Sequence, residues 1–153
     1  MNYFNLIQYK ALMMLFPVET DFYKVSLDDA DKMVILYWKR KVNFPEYKDG
    51  FKMYLHFLKQ SKVKRSILDS TLRGDLDAES DEWVLATLNN EIAHLDIKDH
   101  QIALVMSEEK YQQQINSYSL LQAGHIVLPV GINYFTNMEE AKHWLLHEDM
   151  SLS

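Results

Sequence analysis

The segment VKRSILDSTLRGDLDAES, residues 63–80, decides the fold of this chain. Residues 63–69 have the composition of a buried strand, and the polar residues after Asp69 predict a loop that contains Arg73 and Gly74. Ser80 precedes two acidic residues, so we predict that it is the N-cap of a long helix, where a hydroxyl cap and negative charge are both favourable. This strand–loop–helix unit is the framework on which the rest of the chain can be placed.

The same alternation of strands and helices continues in both directions from this segment. Residues 21–27 and the apolar run 33–38 predict an N-terminal β-hairpin with a four-residue loop, and Asn43-Phe44-Pro45 marks a helix start. The runs 101–106 and 131–135 predict two more strands, each followed by a capped helix. The order predicts a single α/β domain with a mixed, mostly parallel five-stranded sheet and about four covering helices.

Two features of this pattern need separate explanations. Gly50 falls inside the first predicted helix, where glycine costs about 1 kcal/mol relative to alanine, and close packing against the sheet is the one reason we can offer. Apolar residues 6, 9, 12, 13 and 16 have helical spacing and Pro17 ends that segment, so residues 1–17 are predicted to form an N-terminal helical extension. The α/β domain then covers residues 18–149.

Composition restricts the classes of function. The formal net charge of -6 argues against nucleic acid as a partner, because phosphate binding needs a basic surface. The sequence has no cysteine and only 4 glycines, so we expect no thiolate metal site and no glycine-rich nucleotide loop, and we predict no cofactor. The apolar run 11–16 is far shorter than the roughly 20 residues of a membrane span, and the chain start lacks signal-peptide features. We therefore predict a cytoplasmic protein without an integral membrane segment.

The candidate ligand-binding residues follow two of the predicted parallel strands. Open α/β sheets bind ligands outside the carboxyl ends of their strands, and in this chain those ends carry Asp69, Ser70, Arg73, Asp75 and Ser107. An arginine beside a flexible glycine can bind an anion. The alternative is a solvated loop in which the aspartates form Asx turns with nearby backbone amides.

Histidines give weaker candidates for chemistry. His94 and His100 flank two acids but are six residues apart and lack a third histidine, so helix-end solvation is favoured over a metal site. His143 and His147 share one face of the last helix, which is more typical of an exposed polar face than of a metal pair. No Ser–His–acid set can be placed by spacing, so we predict no catalytic residues and no metal ligands.

Six segments carry a resemblance to a known family: MVILYW (33–38), Pro45 at a helix start, ILD (67–69), DEW (81–83), IALVMSE (102–108) and YFTNMEEAKHWL (134–145). Together they resemble the stand-alone bacterial STAS-like (SpoIIAA-like) domains of the Bacteroidetes type. The similarity covers residues 21–147 and implies a SpoIIAA/STAS-like fold. Most stand-alone members have no assigned biochemical role.

Relatives with known roles imply two functions. Anti-sigma-factor antagonists of similar fold act by protein contact and are switched by serine phosphorylation at a helix N-terminus. The resemblance thus implies a non-enzymatic regulatory or protein-interaction module, with another protein or a second copy in a homodimer as the partner, and with Ser80 as the phosphorylation candidate. In those relatives the phosphorylated serine lies near an Asp-Ser-x-Gly motif. This chain departs from that motif, because Thr71-Leu72 follow Ser70 and Asp81-Glu82 follow Ser80, and the acids around Ser80 would repel a phosphate.

Lipid-carrying domains with a related core imply the alternative function. That alternative is a carrier or sensor of a small apolar or anionic ligand, bound near the carboxyl edge of the sheet.

Overall fold

A computed structural model describes residues 16–91, 99–121 and 130–151. The described residues form one domain around a six-stranded mixed sheet in which the strands follow one another in sequence order. The strands are β1 (Val18–Glu19), β2 (Tyr23–Asp28), β3 (Met33–Trp38), β4 (Arg65–Asp69), β5 (His100–Val105) and β6 (Val130–Phe135). The helices are α1 (Phe44–Ser61), α2 (Ala78–Glu91), α3 (Glu108–Leu121) and α4 (Met138–Ser151).

The α/β class, the mixed sheet, the N-terminal hairpin and the four helices are confirmed. The strand number differs from the prediction, because β1 adds a sixth strand by pairing Val18 with Val25 and Glu19 with Lys24. Two residues are too few to show the alternation by which a strand is recognised in a sequence. The β1–β2 and β2–β3 pairs are antiparallel, and the other three pairs are parallel. The predicted N-terminal extension lies outside the described residues except for its last two positions.

The sheet buries residues on both faces. Leu36, Leu68, Leu104 and Tyr134 form one cross-strand row on the face that α1 and α2 cover. Helix α3 lies over the same face, where the Gln114 amide nitrogen is 3.3 Å from the Tyr134 hydroxyl. Crossovers of one hand between successive parallel strands account for this shared side.

Helix α4 covers the opposite face. It packs its fully buried Ala141 and Leu145 against Ile67 of β4 and Ala103 of β5. Strands β4 and β5, which contain Ile67 and Leu104, are adjacent and parallel, as the sequence predicted, and their register places Ile67 beside Ala103 and Leu68 beside Leu104.

Helix α1 begins at the predicted start, and Asn43 is its N-terminal cap. The Asn43 side-chain oxygen accepts from the Glu46 backbone N–H at 2.9 Å, and the Glu46 carboxylate accepts from the Asn43 N–H at 3.0 Å. These bonds form a capping box, which satisfies two backbone donors that the helix itself leaves unpaired. Arg40 donates to the same Glu46 carboxylate at 2.7 Å and so joins the end of the hairpin to the helix start.

We expect the Asn43→Ala substitution to lower the free energy of unfolding by about 1 kcal/mol, because alanine cannot accept the Glu46 N–H bond. Asn43→Ser is the matched control. The serine hydroxyl can accept the same Glu46 N–H bond, so this variant should cost only a few tenths of a kcal/mol. Urea unfolding of both variants measures the difference, and equal losses would contradict the capping explanation.

Candidate functional site

A cleft of about 520 Å³ opens at the carboxyl edge of β4 and β5. Its walls are the loop after β4, the first turn of α2 and the first two turns of α3. The described lining residues are Ser70, Thr71, Arg73, Gly74, Asp75, Leu76, Asp81, Met106, Ser107, Lys110, Gln113 and Gln114. This is the edge at which the sequence predicted a ligand site.

Four of the five predicted ligand-binding residues line the cleft together, namely Ser70, Arg73, Asp75 and Ser107. The fifth, Asp69, does not line it. Its residue is only 7% exposed, and its carboxylate accepts from the Thr71 backbone N–H at 3.0 Å and from the Thr71 hydroxyl at 2.7 Å. Asp69 therefore forms the Asx turn that the sequence left open as the alternative, and it shapes the loop instead of facing a ligand.

The loop after β4 is fixed by backbone contacts on both sides. The Ser70 N–H and hydroxyl both donate to the Val105 carbonyl, at 2.8 and 3.0 Å, which ties the loop to the end of β5. The Arg73 carbonyl accepts from the Val42 N–H at 3.1 Å. Gly74 has a φ of 83°, in the left-handed region that glycine adopts without strain. These contacts hold Arg73 at one place in the cleft wall.

The Arg73 guanidinium has an unusual set of partners. Its central carbon lies 5.7 Å from the centre of the Tyr47 ring, and its Nε donates to the Gly74 carbonyl at 3.4 Å. None of the described carboxylates lies within ion-pair distance of it. Burial lowers the pKa of Arg73, and the nearby Tyr47, Asp81 and Asp75 oppose that shift. The group stays protonated because arginine does not lose its proton in proteins.

Lys110 is the second cation of the cleft. Its ammonium group forms an ion pair with Asp75 and donates to the Gln113 side-chain oxygen at 3.3 Å. The hydrogen bond from Lys110 is the largest cause that lowers the pKa of Asp75. Ser107 caps α3 by accepting the Lys110 backbone N–H at 3.3 Å, as predicted, and no described residue accepts the hydrogen of its hydroxyl.

Asp81 is the remaining charged group on the lining. Burial raises its pKa, Arg73 lowers it and Asp77 raises it. The described lining thus carries two cations and two carboxylates, with one ion pair between them. The sequence interpretation missed Lys110 and Asp81, although their places in the first turns of helices that start at this edge were a usable signal.

The prediction that Ser80 caps α2 is wrong. The cap is Asp77, whose carboxylate accepts from the Ser80 backbone N–H at 2.8 Å. This bond is the largest cause that lowers the pKa of Asp77. Ser80 lies inside the first turn and is 2% exposed, so a kinase would reach its hydroxyl only after that turn opened. Its phosphorylation stays a prediction.

A serine–histidine pair lies at the opposite, amino edge of β4 and β5. The Ser66 hydroxyl and His100 Nε2 are 2.6 Å apart, and the residues are 0% and 1% exposed beneath α1. Burial and, to a smaller extent, the charge of Lys64 lower the pKa of His100 to about 4, and a hydrogen bond with the Val63 backbone opposes the shift. Burial also raises the pKa of Tyr54, and the neighbouring Ser66 hydroxyl opposes that rise. The pair is sealed inside the fold, whereas its possible metal partner His94 lies outside the described residues.

A second surface feature lies on the other side of the sheet. A shallow groove of about 570 Å³ over α4 has Phe135 and Trp144 in its floor, with ring centres 5.7 Å apart. Glu139, Glu140 and the stacked pair His143 and His147 complete its lining. Those two histidines share an exposed face, as predicted. Within the described ranges, no three histidine or acidic side chains are grouped as a metal site would require.

Comparisons with protein-family models, with curated proteins and with solved structures find no match for this chain. None of the helices in residues 16–91, 99–121 and 130–151 combines the length and the apolar content needed to cross a membrane. What the molecule does must therefore be argued from the geometry of the cleft.

Proposed function

We propose that this chain is a non-enzymatic binding module that holds a small anionic ligand in the cleft at the carboxyl edge of β4 and β5. The observation that carries the proposal is the Arg73 guanidinium, which lines the cleft without a described carboxylate partner. A partly buried cation without a counter-ion is costly, and an anionic ligand would supply the missing charge.

The groups around Arg73 suit the same kind of ligand. Lys110 adds a second positive charge, and the Ser107 hydroxyl has a hydrogen to donate. Both residues stand in or beside the first turn of α3, where the helix dipole favours negative charge. Asp75 and Asp81 oppose anion binding, so we expect a modest affinity that depends on salt.

Binding is favoured over catalysis by the choice of groups on the lining. A nucleophilic hydroxyl is commonly activated by a neighbouring base, and no histidine is among the described lining residues. The Thr71 hydroxyl on the lining donates to the Asp69 carboxylate, but that bond belongs to the Asx turn that shapes the loop. The Ser66–His100 pair places a hydroxyl beside a base but is buried at the other edge of the sheet.

The Arg73→Gln variant tests this proposal. We expect its dissociation constant for inorganic phosphate to rise about tenfold or more, because the charged hydrogen bond to the anion is lost. Arg73→Lys should recover part of the affinity, since it keeps the charge without the planar fork. Isothermal titration calorimetry at low salt measures both variants.

The matched control is Arg40→Gln. Arg40 binds Asp21 and Glu46 at 3.2 and 2.7 Å and is not among the lining residues, so its substitution should leave phosphate affinity unchanged. Equal losses in the Arg40 and Arg73 variants would mean that the anion binds through general surface charge. Absence of phosphate, sulfate and dicarboxylate binding by the unmodified protein would reject the proposal.

A protein-interaction module is the second candidate function. The groove over α4 favours it, because its aromatic floor and exposed histidines suit contact with another protein or with a second copy. Native mass spectrometry tests the homodimer form: a dimer that the double substitution His143→Glu and His147→Glu converts to monomer would support this candidate, and a monomer at high concentration would count against it. The STAS-like resemblance and the cytoplasmic location also stay predictions from the sequence.

A further inference from the structure

We propose that Asp75 is a built-in competitor for the ligand of this cleft, and that the ligand is a small dianion of the phosphomonoester type. The Asp75 carboxylate holds Lys110, and the dianion on binding displaces that carboxylate and bridges Arg73 and Lys110. The inference rests on the proposed anion-binding function and adds the class of the ligand and a device that sets its affinity.

The exposure of the ion pair shows why it can be displaced. The Asp75 and Lys110 side chains are 73% and 44% exposed, so water screens their attraction. The Arg73 guanidinium is held by its contacts with Tyr47 and Gly74, and it stays in place when the ion pair opens.

The backbone beside Asp75 is fixed, which limits the change to a side-chain rotation. A Cβ at Gly74 would lie 2.8 Å from Cγ of Lys41, so the loop packs closely against the segment before α1. Displacement of Asp75 therefore needs a new rotamer of one exposed side chain and no movement of the loop.

The charges of the cleft select a dianion. While Asp75 holds Lys110, a single negative charge on the ligand can neutralise only Arg73. A ligand with two negative charges can satisfy Arg73 and also replace the Asp75 carboxylate on Lys110. Asp81 stays on the lining in both states and weakens the binding of any anion.

The central test is a double-mutant cycle between Asp75 and Lys110, with methyl phosphate as the probe. We expect Asp75→Asn to tighten methyl phosphate binding about fivefold, because the ligand no longer has to break an ion pair of ordinary surface strength. In a Lys110→Gln background there is no lysine for Asp75 to release, so the same substitution should raise the affinity for methyl phosphate much less.

Asp81→Asn is the matched control for charge alone. It removes one negative charge from the same cleft but frees no cation, so its effect on methyl phosphate affinity should be equal with and without Lys110. Dimethyl phosphate, a monoanion, serves as the second probe. The unmodified protein should bind methyl phosphate more tightly than dimethyl phosphate. Asp75→Asn should reduce the ratio of the two affinities, because Lys110 can then bind either ligand.

The outcomes separate this inference from the proposed function. The competitor role of Asp75 is supported if Asp75→Asn raises the affinity for methyl phosphate only when Lys110 is present, and if it also reduces the preference for methyl phosphate over dimethyl phosphate. If the unmodified protein binds methyl phosphate but Asp75→Asn changes nothing, or gains equally without Lys110, the competitor role is overturned and the anion site stands. If neither probe binds and Arg73→Gln has no effect, both proposals are overturned. Thermal unfolding of each variant confirms that these surface substitutions leave the fold intact.

Discussion

Between pH 6.5 and about pH 4, His100 is expected to lower the free energy of unfolding by about 3 kcal/mol. In the fold its pKa falls from the ordinary 6.5 to about 4, first because it is buried and second because Lys64 is close. The His100 ring is neutral in the fold, with Nε2 bonded to Ser66, and the Val63 carbonyl is its other partner. A proton on Nε2 would break the acceptor role of that nitrogen and place a charge beneath α1.

The direction of the effect follows from which state binds the proton. Below pH 6.5 the unfolded chain protonates His100, whereas the folded protein does so only near pH 4. Acidification through this window therefore favours the unfolded chain. The stability that neutral His100 preserves is fully present above pH 6.5 and is lost by about pH 4.

Urea unfolding at steps of half a pH unit measures this dependence. Glu46 and Asp75, whose pKa values are lowered from 4.5 and 3.8, add their own acid sensitivity at the lower end of the range. The His100→Gln variant should be less stable at pH 7, but above pH 5 its free energy of unfolding should change much less with pH than that of the unmodified protein. If that variant does not fold, an NMR titration of the His100 ring in the unmodified protein measures the pKa of His100 in the folded state directly. Protonation near pH 6.5 would contradict the prediction.

The Gly50→Val variant is expected to lose about 3 kcal/mol of unfolding free energy, the upper part of the range for an overpacked core. A Cβ on residue 50 would lie 2.5 Å from Cη2 and 2.8 Å from Cζ3 of Trp38, and 3.3 Å from Cδ1 of Tyr23. Trp38 is 1% exposed and is stacked on Tyr47 at 5.3 Å, so its ring has no free space to enter. Gly50→Ala should also destabilise, although alanine favours a helix by about 1 kcal/mol.

Two further variants isolate the contact with Trp38. Lys52→Val places the same side chain at an exposed position of α1, where only the helix propensity changes, and it should cost less than about 1 kcal/mol. Trp38→Phe shortens the ring that faces Gly50, so Gly50→Ala should cost less in that background than alone. Chemical unfolding at pH 7 measures the unmodified protein, the four single variants and the double variant that combines Trp38→Phe with Gly50→Ala. A stability gain for Gly50→Ala would show that helix propensity outweighs the close approach.

The order of elements was readable because each has a local signal. The continuous apolar run of β3 predicted a strand covered on both faces, and the structure buries Val34 and Leu36 on one face and Met33 on the other. The helix start at Asn43-Phe44-Pro45 and the spacing of Tyr47, Phe51 and Tyr54 also predicted α1 correctly. The cap residues of α2 and α4 are harder to identify from the sequence, because several adjacent polar residues could each occupy the N-cap position. Asp77 instead of Ser80 caps α2, and Asn137 accepts the Glu140 N–H at 2.8 Å at the start of α4.

The position of the candidate site followed from the predicted topology, but the set of residues that line the cleft did not. The rule for open α/β sheets placed Ser70, Arg73, Asp75 and Ser107 at one edge, and the structure brings them into one cleft. The same rule included Asp69, the last residue of β4, whose carboxylate turns back to Thr71. Lys110 enters the cleft because the first turn of α3 stands against the loop after β4.

The sequence by itself determined the succession of strands and helices, the start of α1 and the cap of α3, because periodicity and capping act within a few residues. The order of those elements then determined the edge at which polar side chains collect. Only the tertiary structure decided that Gly50 makes room for Trp38, that His100 is held neutral against Ser66, and that Arg73 stays without a described counter-ion while Asp75 holds Lys110. The contacts of Gly50 with Trp38, of His100 with Ser66 and of Asp75 with Lys110 join residues at least 12 positions apart in the chain. Such contacts depend on packing distances that no local pattern contains.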